Sequence, residues 1–303
     1  MRKLLSLLLV LLMVSSLFIG CGKNEEPTTV EETTAAETTA ADTTAADTTT
    51  AGGELADGIY FATQPTFDAE SGWKTVVTIE VAGGKIVAAD WNGASVNAGK
   101  DKKTTSADGE YNMVAYGKAQ SEWHEQAALA EQYLIDNQSF EGLNYSDAEG
   151  HTDSITGVSI HVSDFVDLTQ EALAAGPVGS GPYVDGAFYA EDAAFGDSGW
   201  KENASFTVIN GFIVAANWNG TSEATDKDKK TASIDGDYGM VAIGKASSEW
   251  HEQAAMVENF LVDTQSLDEI TLTDADGHTD AVTGVSIKVG NFIELAKKAL
   301  KLK

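Results

Sequence analysis

The sequence predicts an α+β protein built from two tandem copies of one domain. Residues 153–159 read DSITGVS and residues 280–286 read DAVTGVS, so five of the seven residues of this string recur 127 residues later. Segments rich in Val, Ile and Thr are paired around short glycine turns, which predicts antiparallel hairpins. A helical pattern follows each hairpin. Strands that come as hairpins, and do not alternate singly with helices, favour α+β over a doubly wound parallel sheet.

The same offset connects further segments of the chain. Residues 122–128 (EWHEQAA) recur at 249–255, and a Trp-Asn-Gly tripeptide occurs at 91–93 and at 218–220. A period this long indicates a duplicated domain, because solenoid repeats are about 20 to 50 residues long. We therefore expect a first copy over residues 57–175 and a second copy over residues 183–303. The glycine- and proline-rich residues 176–182 are predicted to form the linker between them.

The amino terminus predicts export. Arg2 and Lys3 precede an apolar run over residues 4–19, which is typical of a secretory signal peptide over residues 1–20 and is short for a transmembrane helix. Cys21 is the single cysteine of the chain, so it cannot form an intrachain disulfide. Residues 17–21 (LFIGC) resemble a bacterial lipobox. The resemblance implies that Cys21 is lipidated and that the protein is anchored by lipid to the outer face of the cytoplasmic membrane. An ordinary signal peptide with an incidental cysteine is the alternative.

Residues 21–56 are predicted to form a disordered tether. Repeated Thr, Ala and acidic residues fill this segment, which has almost no large apolar side chain to bury. Such a tether reaches roughly 30 Å. The formal net charge of the whole chain is −28, which disfavours binding to nucleic acid or to anionic lipid head groups.

Each element of the first copy can be assigned from its pattern. Residues 57–61 are predicted to form an opening strand. Residues 73–81 and 85–91 are predicted to pair around Gly83-Gly84. In the second copy, residues 200–208 and 212–218 repeat this hairpin around Asn210-Gly211, the stronger turn signal.

A helix is predicted over residues 121–138, with Ser121 as its N-cap, because apolar residues there follow helical spacing. Residues 156–162 are predicted to form a strand opened by a glycine, and residues 165–174 a closing helix. The corresponding strand and helix of the second copy are predicted over residues 287–289 and 292–300.

The repeated Asp-x-x-Thr-Gly-Val-Ser string resembles the attachment motif of the FMN-binding domain family. In that family a flavin transferase moves FMN from FAD onto the hydroxyl of the last motif residue and leaves a phosphodiester bond. The resemblance implies two covalent FMN groups, on Ser159 and on Ser286. The other motif residues implied to hold the cofactor are Asp153, Thr156, Gly157, Asp280, Thr283 and Gly284. Without the resemblance, the string would be interpreted as a Thr-Gly turn with an Asp that caps the preceding bend.

Two other sets of residues were considered as ligand contacts. Tryptophan is more often a core residue, but a flavin ring stacks well on aromatic side chains, so Trp91 and Trp218 are predicted to line the flavin sites. His124, Glu125 and His151 could be imagined as metal ligands. No metal site is predicted, because the helix lacks two histidines at i and i+4.

The resemblance implies a membrane-anchored extracellular electron carrier, similar to two-domain lipoproteins of extracellular electron transfer. Its expected partners are a flavin transferase, a membrane donor such as a quinol-linked dehydrogenase, and soluble acceptors such as ferric iron or free flavin. The alternative is an extracellular ligand-binding lipoprotein that uses its tryptophans to bind a sugar or a cell-wall component. A hydrolase is disfavoured, because both copies lack a recognisable spacing of nucleophile, base and orienting residue.

Overall fold

The computed structural model describes residues 54–302. The predicted signal peptide, Cys21 and nearly all of the predicted tether lie outside these residues. Leu55 already packs against the core of the first copy. The folded part therefore begins slightly before residue 57, where the sequence placed its start.

The first copy contains three strands followed by four helices. These elements are β1 (Gly58–Thr63), β2 (Trp73–Ala82), β3 (Lys85–Ser95), α1 (Lys102–Ala107), α2 (Met113–Gly117), α3 (Trp123–Asn137) and α4 (Ser163–Ala175). The second copy repeats the strands and most of the helices, with a 3₁₀ turn at Leu267–Glu269. Its elements are β4 (Gly186–Glu191), β5 (Trp200–Ile209), β6 (Phe212–Ser222), α5 (Lys229–Ile234), α6 (Trp250–Thr264) and α7 (Gly290–Leu300).

Each copy has one antiparallel sheet, with the strand orders β1-β2-β3 and β4-β5-β6. The tight hairpins are confirmed, and their turn residues have positive φ angles: 61° and 70° at Gly83 and Gly84, and 50° and 74° at Asn210 and Gly211. Two successive residues in this conformation form the turn whose twist matches that of the flanking strands. The predicted α+β class is thereby confirmed.

One face of each sheet packs against the helices of its own copy. In the first copy α3 packs on β3, and α4 packs on β1 and β2. Ala127, Ala130 and Leu134 lie on the buried face of α3, as their spacing predicted. The predicted N-cap was wrong by one residue: Glu122 occupies that position, and its backbone N–H donates to Glu125 Oε2 at 2.8 Å.

The strands predicted over residues 156–162 and 287–289 do not form. Gly157 has a φ of 89°, which turns the chain away from an extended path. The backbone N–H of Ser159 donates to a side chain of α3, and that of Val162 donates to Gly150 O at 2.8 Å. The segment is therefore an irregular loop whose hydrogen bonds connect it to a helix and to another loop.

The other faces of the two sheets contact each other. A second apolar cluster there contains buried residues of both copies, and Phe61 stacks on Phe212 with ring centroids 4.8 Å apart. Val76 faces this cluster, whereas its neighbour Val77 faces the helices. Thr207 Oγ1 also donates to Gly99 O at 2.9 Å. Residues 54–302 accordingly lie in one compact unit.

The predicted linker follows both copies closely. Val178 N–H donates to Ile59 O at 2.8 Å, and Gly181 N–H donates to Asn210 O at 2.8 Å. A Cβ atom at position 181 would lie 2.2 Å from Gly211 O, so only glycine allows this approach. The linker is therefore an ordered strap between β1 and the β5–β6 turn. None of the helices in the described part of the chain has the length and apolar character needed to cross a membrane.

Candidate functional site

A buried glutamine holds each of the two motif serines. The Gln126 side chain is 1% exposed, and its Oε1 accepts hydrogen bonds from Ser159 N at 2.7 Å and from Ser159 Oγ at 3.2 Å. Gln126 Nε2 donates to Ser121 O at 3.0 Å. Gln253 and Ser286 repeat this arrangement, at 2.6 and 3.2 Å. Both serines lie at the surface, so their hydroxyls are accessible.

Sequence reasoning missed these glutamines as site residues. The EWHEQAA string, which is identical in both copies, contained the signal. The side-chain amide of each glutamine is buried and bonds to backbone groups and to the serine hydroxyl. Breaking these bonds would leave a buried amide unpaired, which costs free energy, so the serine stays fixed relative to α3 or α6. The serine hydroxyl is therefore presented by a rigid element despite its position on a loop.

The remaining motif residues form the loop that leads to the serine. Gly157 and Gly284 have φ angles of 89° and 87°, a backbone conformation that favours glycine. Thr156, Thr283, Asp153 and Asp280 lie exposed on this loop.

Threonine, and not the motif aspartate, stabilises the preceding bend. Thr152 Oγ1 donates to Asn144 O at 2.7 Å and accepts from Ser154 N at 3.1 Å. Thr279 makes the equivalent pair of hydrogen bonds in the second copy. The capping role considered for the aspartate in the sequence therefore belongs to the residue before it.

A cavity of about 980 Å³ opens beside Ser159 in the first copy. Aromatic side chains and Lys102 form much of its wall, together with residues of the β1–β2 loop and of the motif loop. The lining residues used below are Trp73, Thr75, Trp91, Lys102, Tyr111, Trp123, His151, His161, Asp68, Asp164 and Ser159.

Lys102 extends among three of these rings. Its Nζ lies 4.6 Å from the ring centroid of Trp123, 5.2 Å from that of Tyr111 and 5.7 Å from that of Trp73. Gly93 leaves room for the Lys102 side chain, because a Cβ atom at Gly93 would come within 3.2 Å of Lys102 Cδ. Burial lowers the pKa of Lys102 to about 8, against the opposing charges of Asp164 and Asp68.

Trp91 and Trp218 are core residues. Trp91 is 3% exposed and stacks on Phe165 with ring centroids 5.0 Å apart, and Trp218 is 1% exposed. Trp91 does line the cavity, but little of its ring is accessible. A direct flavin contact for these two residues stays a prediction. The partly buried Trp73 and Tyr111 offer more of their surface to a ligand.

A buried carboxylate connects the cavity wall to α3. Glu131 accepts from Trp91 N at 2.6 Å and from Lys103 Nζ at 2.6 Å. Burial raises the pKa of the Glu131 carboxyl, and the nearby Lys103 opposes that shift. Glu258 bonds Trp218 N and Lys230 in the same way. These pairs hold β3 and β6 against their helices and so position the tryptophans.

The histidines considered for metal binding do not converge as that arrangement required. His124 Nδ1 lies 2.9 Å from Ser106 Oγ, while Glu125 caps α3. His151 Nδ1 lies 2.5 Å from Asp147, with Glu149 nearby. Asp147, Glu149 and His151 lie mainly at the surface, and the hydrogen bonds between Asp147 and His151 stabilise the turn that contains them.

Two solved structures are similar to part of this chain. One is a solution NMR structure of a protein from Clostridium thermocellum, with 51% identity, 40% of this chain and 92% of that chain covered, and a TM-score of 0.33. The other is a crystal structure of a protein from Clostridium perfringens, with 28% identity, coverages of 39% and 87%, and a TM-score of 0.31. No family model and no curated protein match the chain.

The chain belongs to the same family as the C. thermocellum protein, because it covers most of that protein at 51% identity. The matched share of this chain is about the length of one copy.

Proposed function

We propose that this chain is a membrane-anchored extracellular electron carrier with FMN attached covalently to Ser159 and to Ser286. The observation that carries the proposal is the repeated presentation of an accessible serine hydroxyl by a buried glutamine. A structural Thr-Gly turn would not need a serine fixed in this way in both copies. An accessible and oriented hydroxyl is what an attaching enzyme requires of its acceptor.

The residues around Ser159 fit a flavin. Ligand pockets commonly have volumes of about 300 to 1,000 Å³, and the cavity beside Ser159 measures about 980 Å³. Trp73 and Tyr111 offer aromatic surface for a planar ring. Gly157, which has a positive φ angle, carries no Cβ atom, and this gives room for a phosphate near the serine.

Bound FMN would supply the redox chemistry by accepting and releasing electrons. The chain would hold the phosphate end at the serine, set the access of solvent to the ring through the cavity wall, and keep the carrier at the membrane through lipidated Cys21. A separate flavin transferase would use FAD as the FMN donor: the serine oxygen would form a bond to the FMN phosphorus, the pyrophosphate bond of FAD would break, and AMP would leave. A quinol-linked membrane dehydrogenase would reduce the carrier, and ferric iron or free flavin would reoxidise it.

Intact mass spectrometry of the mature protein tests this proposal directly. Protein made together with a flavin transferase should carry two additions, each equal to FMN less one water. Each of the single variants Ser159→Ala and Ser286→Ala should lose one addition. The exposed Ser154→Ala variant is the control and should keep both. An unmodified mass would contradict the proposal and would favour a ligand-binding lipoprotein that stacks a sugar or cell-wall component in the aromatic cavity.

A further inference from the structure

The two copies differ where the cavity lysine meets the middle strand of the sheet. Thr75 of the first copy corresponds to Glu202 of the second at the offset of 127 residues. Glu202 forms an ion pair with Lys229, the counterpart of Lys102, and accepts from Trp218 Nε1 at 3.1 Å. Among the described residues, no carboxylate lies within 4.0 Å of Lys102 Nζ.

A second difference strengthens the first. Asn291 Nδ2 donates to Glu202 at 2.9 Å, whereas the first copy has Asp164 at the corresponding position. An aspartate there would repel a carboxylate at position 75, and Asp164 instead accepts from Thr75 Oγ1 at 3.4 Å. Each copy thus has a matched pair of residues: Thr75 with Asp164 in one, and Glu202 with Asn291 in the other.

These differences determine what surrounds each lysine. In the second copy, Glu202 neutralises Lys229 and occupies the space between the lysine, Trp218 and α7. Both lysines lie over aromatic rings, but Lys102 has no ion-pair partner corresponding to Glu202 among residues 54–302, and it borders a cavity. An ammonium group in such a place is stabilised by a ligand that brings an acceptor atom, because an unpaired buried charge is costly.

We propose that the two copies are not equivalent: the first binds a planar aromatic ring with a carbonyl or anionic edge, with Lys102 as the donor to that edge, and Glu202 closes the corresponding site of the second. The identification of the ring as the flavin isoalloxazine rests on the proposed function. It follows that a flavin on Ser159 has its ring held in the cavity, whereas a flavin on Ser286 has its ring exposed to solvent.

Riboflavin titration of protein made without a transferase tests the site itself. Riboflavin lacks the phosphate, so its binding reports the ring and the ribityl chain without the attachment end. Tryptophan and flavin fluorescence should show one site per chain, and Lys102→Met should weaken binding about ten-fold or more, the value expected for loss of a hydrogen bond to a charged group. Two equal sites, or no binding up to the solubility limit of riboflavin, would overturn the proposal.

Reciprocal variants supply matched controls for the titration. The double variant Thr75→Glu, Asp164→Asn should weaken binding at the first copy as strongly as Lys102→Met does, because it reproduces the arrangement of Glu202, Asn291 and Lys229 in the second copy. Glu202→Gln, which keeps the size of the side chain, should leave the first site unchanged. Circular dichroism identifies any variant that fails to fold. If the variant at position 75 does not fold, the riboflavin affinity of Lys102→Met tests the proposal in its place. Unchanged affinity in the folded Thr75→Glu, Asp164→Asn variant would overturn the proposal.

The loaded protein separates this inference from the proposed function. With a transferase present, the Ser286→Ala variant should carry a strongly quenched flavin, because its ring lies among tryptophans. The Ser159→Ala variant should carry a brightly fluorescent one. Equal fluorescence from two confirmed attachments would refute the inequivalence and leave the electron carrier intact. Absence of both attachments would refute the carrier, while the riboflavin titration would still decide on the cavity.

Discussion

Gln126 and Gln253 are buried side chains whose two ends both bond to the polypeptide. Replacing Gln126 by Leu keeps much of the volume but leaves Ser159 N–H and Ser121 O without their partner. We expect the free energy of unfolding to fall by about 1 to 3 kcal/mol, measured by urea denaturation. Gln253→Leu should cost a similar amount. Exposed Gln132→Leu, which loses only a bond to Asp136, is the control and should be nearly neutral. A neutral Gln126→Leu variant would contradict this account.

Lys102 should make riboflavin binding depend on pH. Its pKa in the free protein is lowered to about 8, and the neutral amine formed above that pKa loses the charge-assisted hydrogen bond to the ligand. The dissociation constant should therefore stay level below that pKa and rise roughly eight-fold from about pH 7.5 to about pH 9.

The other ionisable groups of the cavity should not produce this rise. Hydrogen bonds from Ser71 hold the pKa of Asp68 below its usual range, and burial raises the pKa of Tyr111 above its usual range, so neither group changes charge over this interval. Residual binding in Lys102→Met should show no pH dependence over the range. A pH dependence that persists there would assign the effect to another group.

At this scale the sequence identified the serines and glycines of the loop but not the residues that hold them. Gly157 and Gly284 could be predicted because a conformational requirement is local. The partners of the serines could not, because Gln126 lies 33 residues from Ser159 and belongs to another element. The Lys102 environment was invisible for the same reason, since its three rings come from three separate segments.

The loop between α3 and α4 should be sensitive to loss of glycine. Gly157→Ala forces an L side chain into a φ of 89°, and its Cβ would lie 3.1 Å from Leu129 Cδ1. We expect a loss of about 1 to 3 kcal/mol in the free energy of unfolding. Gly284→Ala should cost less, because its nearest neighbour is the flexible Met256 at 3.4 Å. Gly117→Ala, in open space at the end of α2, is the control. An equal, small effect of all three would contradict the argument.

The elements that sequence predicted well are those with local signals. The hairpins follow from alternating apolar residues and from turns such as Asn210-Gly211, and α3 follows from apolar residues at helical spacing. The strand prediction for residues 156–162 was wrong. The Val and Ile residues of this segment are buried, but the segment does not pair with a neighbouring strand. The short helices α1 and α2 were not predicted.

The whole folded part is joined by an apolar contact between its two sheets. Phe61→Ala and Phe212→Ala remove the two halves of one stacked pair. A double-mutant cycle should give a coupling free energy of about 0.5 to 1.5 kcal/mol, measured by chemical denaturation. The same cycle with Phe61→Ala and Phe195→Ala, an exposed residue outside the contact, should give additive effects. Additivity in the first cycle would mean that the two copies are stabilised independently.

Cys21 governs the location of the molecule in our hypothesis, although it lies outside the described residues. The Cys21→Ala variant should move from the membrane fraction to the medium, or remain unprocessed, because lipid chains provide the membrane affinity. Immunoblotting of cell fractions measures this, and Ser16→Ala within the predicted signal peptide is the control. Wild-type protein found free and without lipid in the medium would contradict the anchor.

The packing of the copies could not be predicted from the sequence, although one sign of it was present. Val76 and Val77 are both fully buried neighbours on one strand, and buried neighbours on a strand require cover on both faces of the sheet. The partner for the second face comes from residues more than a hundred positions away, so no local pattern identifies it.

The strap around Gly181 has a consequence for motion in solution. The strap bonds to β1 at one end and to the β5–β6 turn at the other. The two copies therefore lack the freedom of relative motion that a flexible connector would allow. They should rotate in solution as a single rigid particle with one correlation time. The vector between Ser159 and Ser286 is then a constant of the molecule, so both serines approach a partner in one fixed relative orientation.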